Sequence, residues 1–257
     1  MKLWLGMFLA VSLAACTTVQ EGKRKPDPNA SARDRVALAA EYLKKGDSES
    51  AQQQLQKALK SNPDSPEAHL MMGVVLDRDG DAKGADREYR KAIRLKADYS
   101  QAHNNYAVFL FRNGRYKEAL PHFQAASDDL SYELRAQAFE GAGRCHLKLG
   151  DTTAAEQSFL RALRLDNSLP TATLEMADIY FSRGETDTAR KGYQRFLQQT
   201  GDRPQSAQSL WLGIRLERAA GAKADRNALA SYELALKRLY PKSPEYKLYT
   251  ASLPKGQ

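Results

Sequence analysis

The chain has 257 residues, 42% of them hydrophobic and 27% charged, with a formal net charge of +8. That length holds one large domain or a repeat array, and the composition is that of a soluble fold, not of a disordered chain. The basic residues are scattered with acids between them, which speaks against a nucleic-acid partner.

Residues 1–15 open on Met1-Lys2 and run apolar from Leu3 to Leu13, with only Ser12 polar. This is a charged n-region followed by an h-region of signal-peptide length, short of the roughly 20 apolar residues that a spanning helix needs. The order Leu13-Ala14-Ala15-Cys16 matches the bacterial lipoprotein box. Its match implies cleavage before Cys16 and acylation of its thiol, so that the mature chain is anchored and does not span. Thr17 stands where an aspartate would mark inner-membrane retention, which favours the outer membrane. Residues 16–31 then form a polar linker. Its one compact basic run, Lys23-Arg24-Lys25, suits either anionic headgroups or plain solvation. With Cys16 acylated, Cys145 is alone and no intramolecular disulfide can form; it sits on an expected helix as a small buried residue.

Five glycines follow in register: Gly46, Gly80, Gly114, Gly150 and Gly184, at spacings of 34, 34, 36 and 34. A fixed period of this size signals stacked supersecondary units. Each glycine stands between two amphipathic helical runs. A left-handed residue commonly ends a helix, and glycine adopts that conformation without steric penalty. Units are therefore expected from Ala32, Pro66, Ser100, Ala136 and Pro170, with two extra residues near "SYELR". A looser sixth unit joins "SLWLGIRL" to "ALASYELALKRLYP" through a longer turn. Small residues recur at positions 8, 20 and 27 of the units (Gly73, Ala85, Ala92) and large ones at 24 (Leu55, Tyr89, Phe123, Phe159, Tyr193).

This pattern resembles the tetratricopeptide repeat. The resemblance implies an all-α, right-handed superhelical solenoid of about six helix-turn-helix repeats over residues 32–242, its concave face lined by the first helix of each repeat. Residues 243–257 form a tail, in which "SPEYKLYTASL" is expected to add a short capping helix.

No catalytic signature is present, neither G-x-S-x-G, nor H-E-x-x-H, nor a phosphate loop. The reading is a non-enzyme without cofactor or metal. His69 and His103 occupy the same position of adjacent repeats, on layers roughly 10 Å apart. That spacing suits packing better than shared ligation of one ion. Asp77, Asp79 and Asp81 fall near an interhelical turn, where aspartate has local uses.

The resemblance places positions 2, 5, 9 and 12 of each first helix on the concave face. The candidate groove residues are then Leu70 and Val74 from the second repeat, Asn104, Val108 and Phe111 from the third, and Leu174 and Phe181 from the fifth. The set is more apolar than a carboxylate-binding clamp. Val74 and Val108 suit either the groove or packing between helices, whereas Phe111 and Phe181 fit as anchors for a partner segment.

The lipobox, the short linker, six such repeats and the strings "NNYAVFLFRNGRYKEAL", "LEMADIYFSRGE" and "SLWLGIRLER" followed by "LALKRLYPKSPEY" together resemble the pilotin lipoproteins of type IV pilus biogenesis. That likeness implies an outer-membrane lipoprotein, facing the periplasm, which helps the pilus secretin reach the membrane and assemble into multimers. The alternative is a repeat lipoprotein that regulates a cell-wall synthase or an outer-membrane assembly factor.

Overall fold

The computed structural model of the protein describes residues 27–253. The leader, Cys16 and the Lys23-Arg24-Lys25 run lie outside the described residues.

Within them the chain forms thirteen α-helices and no strand. Successive pairs are α1 (Pro28–Lys44) with α2 (Ser48–Ser61), α3 (Pro66–Arg78) with α4 (Ala82–Leu95), and α5 (Ser100–Arg112) with α6 (Tyr116–Asp128). Then come α7 (Arg135–Lys148) with α8 (Thr152–Leu165), α9 (Pro170–Ser182) with α10 (Thr186–Thr200), and α11 (Ala207–Ala219) with α12 (Arg226–Leu239); α13 (Pro244–Ala251) follows alone. The pairs stack as a tetratricopeptide-repeat solenoid. No helix of the described residues is long and apolar enough to cross a membrane.

All five registered glycines have positive φ, between 74° and 86°. Each closes the same pair of bonds. The Gly150 N–H donates to the Leu147 carbonyl (3.1 Å) and the Asp151 N–H to the His146 carbonyl (2.9 Å). That is a Schellman stop, which satisfies carbonyls the ending helix leaves open. The next residue then starts the second helix. Asp47, Asp81 and Asp151 cap α2, α4 and α8 by accepting from the backbone N–H three residues on. One three-residue turn thus ends a helix and begins its partner.

Packing follows the same register. The alanines at position 20 (Ala51, Ala85, Ala119, Ala155, Ala189) are wholly buried, and so nearly are the large residues at 24. In α7 two glycines carry the closest approaches. A Cβ on Gly143 would stand 2.7 Å from the Phe159 ring of its own repeat, and one on Gly141 would stand 2.4 Å from Phe123 of the preceding repeat. Only glycine lets both rings lie flat against one helix.

Three expectations concern the ends, and the first of them changes. The first helix begins at Pro28, not Ala32, because the Asp27 carboxylate caps it by accepting from the Asn29 N–H at 2.9 Å. Residues 28–31, read as linker, are therefore helical. The sixth pair is joined by a 3-10 turn, Gly221–Lys223, with Asp225 capping α12. Finally, α13 forms the capping helix: Tyr246 and Tyr249 pack with Trp211 and Tyr240 around Leu210, Ile214 and Leu236.

Candidate groove on the concave face

The first helices of the repeats carry two adjoining cavities. One, of about 500 Å³, is lined by Asn104, Val108 and Phe111 of α5, Tyr116 of α6, and Glu140 and Arg144 of α7. The other, of about 410 Å³, is lined by Arg144, Leu147 and Lys148 of α7, Glu175 and Asp178 of α9, Trp211 and Arg215 of α11, and Leu248 of α13. Arg144 belongs to both, so they form one groove across the third to sixth repeats.

Of the expected groove residues, three meet in the first cavity. Val108 is 41% exposed. Phe111 is half-buried; its ring lies 5.1 Å from that of Tyr116, and the Arg144 guanidinium stands over it at 4.4 Å. Asn104 is only 8% exposed: it reaches the cavity wall, but its amide is shut in beside the Tyr132 hydroxyl.

The other four do not join them. Leu70 and Leu174 are core residues, 1% and 5% exposed, and not groove residues. Leu70 packs with Tyr89, Tyr106 and Leu110, and Leu174 with Ala177, Tyr193 and Leu212. A leucine at position 5 is closed in by the second helix of its own repeat, through Tyr89 or Tyr193, and by the first helix of the next, through Tyr106 and Leu110 or Leu212. Val74 packs partly buried against the same core as Leu70. Phe181 is half-buried and lines neither cavity; Arg215 covers its ring at 5.0 Å and also lies 5.5 Å from Trp211. Phe111 and Phe181 are thus matched positions, each under an arginine of a later first helix, and not two walls of one pocket.

Charged residues that the apolar reading passed over complete the groove. Asp178 accepts from Arg215 Nη2 at 2.6 Å, and Arg112 pairs with Asp77 across adjacent repeats. Glu140 accepts from the Ala172 N–H at 2.9 Å, and Glu175 from Gln208 Nε2 at 2.9 Å. Burial pushes both glutamate carboxyls up from the ordinary range. The available signal was the fourth repeat itself, where positions 9, 12 and 13 are Arg144, Leu147 and Lys148.

The remaining candidates have local roles. His69 spans the Pro63 carbonyl (Nε2, 2.9 Å) and Glu88 (Nδ1, 2.6 Å); His103 spans the Ala97 carbonyl (3.0 Å) and His122 Nδ1 (2.8 Å). Each ties its turn to the second helix of the repeat. Cys145 is buried, which pushes its thiol up to about 12 and leaves no thiolate at neutral pH.

Comparison with known proteins agrees with this architecture. Tetratricopeptide-repeat models match residues 36–95, 98–168 and 171–199. The type IV pilus assembly protein PilF of Pseudomonas aeruginosa is 38% identical over 252 residues, covering 96% of this chain and 97% of that protein. The solved structure of Pseudomonas aeruginosa PilF matches with a TM-score of 0.79 over 88% of this chain and 99% of that one. PilW, described as a widely conserved type IV pilus biogenesis factor, matches with a TM-score of 0.70 at 26% identity, over 85% of this chain and 98% of that one.

Proposed function

The chain belongs to the PilF family of tetratricopeptide-repeat proteins of type IV pilus biogenesis, and from that premise we propose that it is a pilotin, a non-enzymatic scaffold for the pilus secretin. In this reading the leader is removed, Cys16 is acylated, and the solenoid faces the periplasm from the outer membrane. The groove holds an apolar segment of the secretin and promotes its arrival and multimer assembly. The observation that carries the reading is the first cavity, where Val108 is open to solvent and the half-buried Phe111 lines the wall beside it. An apolar side chain of a partner seated there would bury surface worth about 1.5–3 kcal/mol.

The test is the pair Val108→Asp and Phe111→Ala in cells, reading secretin multimers in the outer-membrane fraction alongside the melting temperature of the purified variants. Val108→Asp touches an exposed position and is expected to leave melting near native while reducing multimers several-fold. Unchanged multimers with both variants folded would remove the groove from the function. Cys16→Ser separates anchoring from binding: it should release the protein from the membrane while leaving secretin capture by the soluble form intact.

A further inference from the structure

This inference rests on the groove reading above and concerns the chemistry of the segment it takes. Four cations reach the groove from its first helices. Arg112 and Arg215 are spent on Asp77 and Asp178. Arg144 and Lys148, one turn apart on α7, make neither an ion pair nor a hydrogen bond among the described residues. The nearby carboxylates are engaged: Glu140 by the Ala172 N–H, Glu175 by Gln208, Asp178 by Arg215. Glu245 stands on the far rim, in α13.

We propose that the groove takes an extended segment in which an internal Asp or Glu side chain is flanked on both sides by apolar residues. The carboxylate lies at Arg144 and Lys148, whose N–H groups donate to it. The apolar side chains fall on Val108 and Phe111 to one side and on Leu147, Trp211 and Leu248 to the other. Because Arg144 borders both cavities, the segment runs past it in both directions. The acid is therefore a side chain and not a chain terminus.

A random-peptide display library, panned against the full-length chain in detergent, tests this without presupposing the secretin. Selected sequences are expected to carry an internal acid between apolar residues. Synthesised with blocked termini, they should bind about tenfold more tightly than their Asn or Gln counterparts, the size of one charge-assisted contact. That preference should fall to within about twofold in the Arg144→Gln, Lys148→Gln double variant, with melting unchanged because both positions are exposed. It should persist in Lys191→Gln, on the outer surface of α10. Equal binding of acidic and amide peptides, a preference that survives the double variant, or binding that needs a free C-terminus would each overturn the proposal while leaving the groove standing. Absence of any groove-dependent binder, judged by Phe111→Ala, would overturn both readings.

Discussion

The fourth repeat and the sixth reach the same packing by different routes. In the fourth, a three-residue turn through Gly150 joins α7 to α8, and Gly143 lies under the ring of Phe159. In the sixth, the turn is twice as long and passes through a 3-10 segment, yet Gly213 still lies under a ring, that of Tyr232. What is kept is glycine beneath an aromatic ring; the spacing between them is free. The difference lies in what closes the far side. Phe159 is fully buried by the repeats around it, whereas among the described residues no further repeat covers the sixth. Its core is closed instead by α13, through Tyr246 and Tyr249, with Arg218 over the Tyr249 ring at 5.2 Å and bonded to Ser252 at 2.8 Å.

Removing the cap should therefore break the comparison most strongly. Ending the chain after Lys242 uncovers Leu210, Ile214 and Leu236, whose partial re-exposure, with the loss of two half-buried tyrosines, amounts to roughly 2–4 kcal/mol. A repeat array need not unfold as one unit, so the loss should stay local. Hydrogen exchange is expected to show protection in α11 and α12 falling about a hundredfold, while α3 to α8 hold. Uniform loss along the whole chain would mean that the sixth repeat is not the separately closed end described above.

A smaller effect separates the two turns. Gly150 has φ of 86° and Gly221 has φ of 55°, and a Cβ on either meets nothing within 4 Å. Any penalty is thus conformational. Gly150→Ala should destabilise by about 1–2 kcal/mol, the left-handed penalty for an ordinary residue. Gly221 is the first central residue of a turn closed by the Lys223 N–H on the Ala220 carbonyl, and the residue after it has negative φ; that is the type II′ arrangement, which takes glycine, so Gly221→Asn should cost more than Gly150→Ala by chemical denaturation. Equal losses at both sites would show that the long turn of the sixth repeat is no more constrained than the regular ones.

These contrasts also account for what could be read in the sequence. The solenoid was legible because its determinants are local and periodic: a left-handed residue at each helix end and a small residue beneath each ring. The groove was only partly legible, because exposure at a first-helix position depends on how closely the neighbouring repeat approaches. Leu70 and Val108 are both aliphatic at nominal groove positions, yet one is sealed between helices and the other is open. Arg144 escaped notice for the converse reason. An arginine on a helix reads as solvated, and its place over Phe111 arises only when residues 33 apart are stacked. The helical start at Pro28 turned on a single Asp27 cap.

The gentlest contrast between the repeats is in their response to acid. The third repeat holds His122, half-buried beside His103, Arg90 and Glu118, with its ring edge-on to Tyr106 at 4.8 Å. Burial, with the neighbouring His103 and Arg90, lowers its pKa to about 4, below the ordinary value near 6.5. The unfolded chain then binds the proton before the folded one does. Stability from this group is full above the ordinary histidine pKa and is lost as pH falls toward about 4. Asp86 and Glu118, whose carboxyls are held low, lose their contributions only in more acidic solution. Glu140 and Glu175 have the opposite sign: their carboxyls are raised by burial, so acidification favours the fold around α7 and α9. The sixth repeat contains no histidine at all. Exchange protection measured between neutral pH and pH of about 4.5, corrected for intrinsic exchange, should therefore fall in α5 and α6 and hold in α11 and α12. His122→Gln should remove most of the decline in α5 and α6. A decline of the same size in that variant would place the acid sensitivity outside the His103–His122 pair.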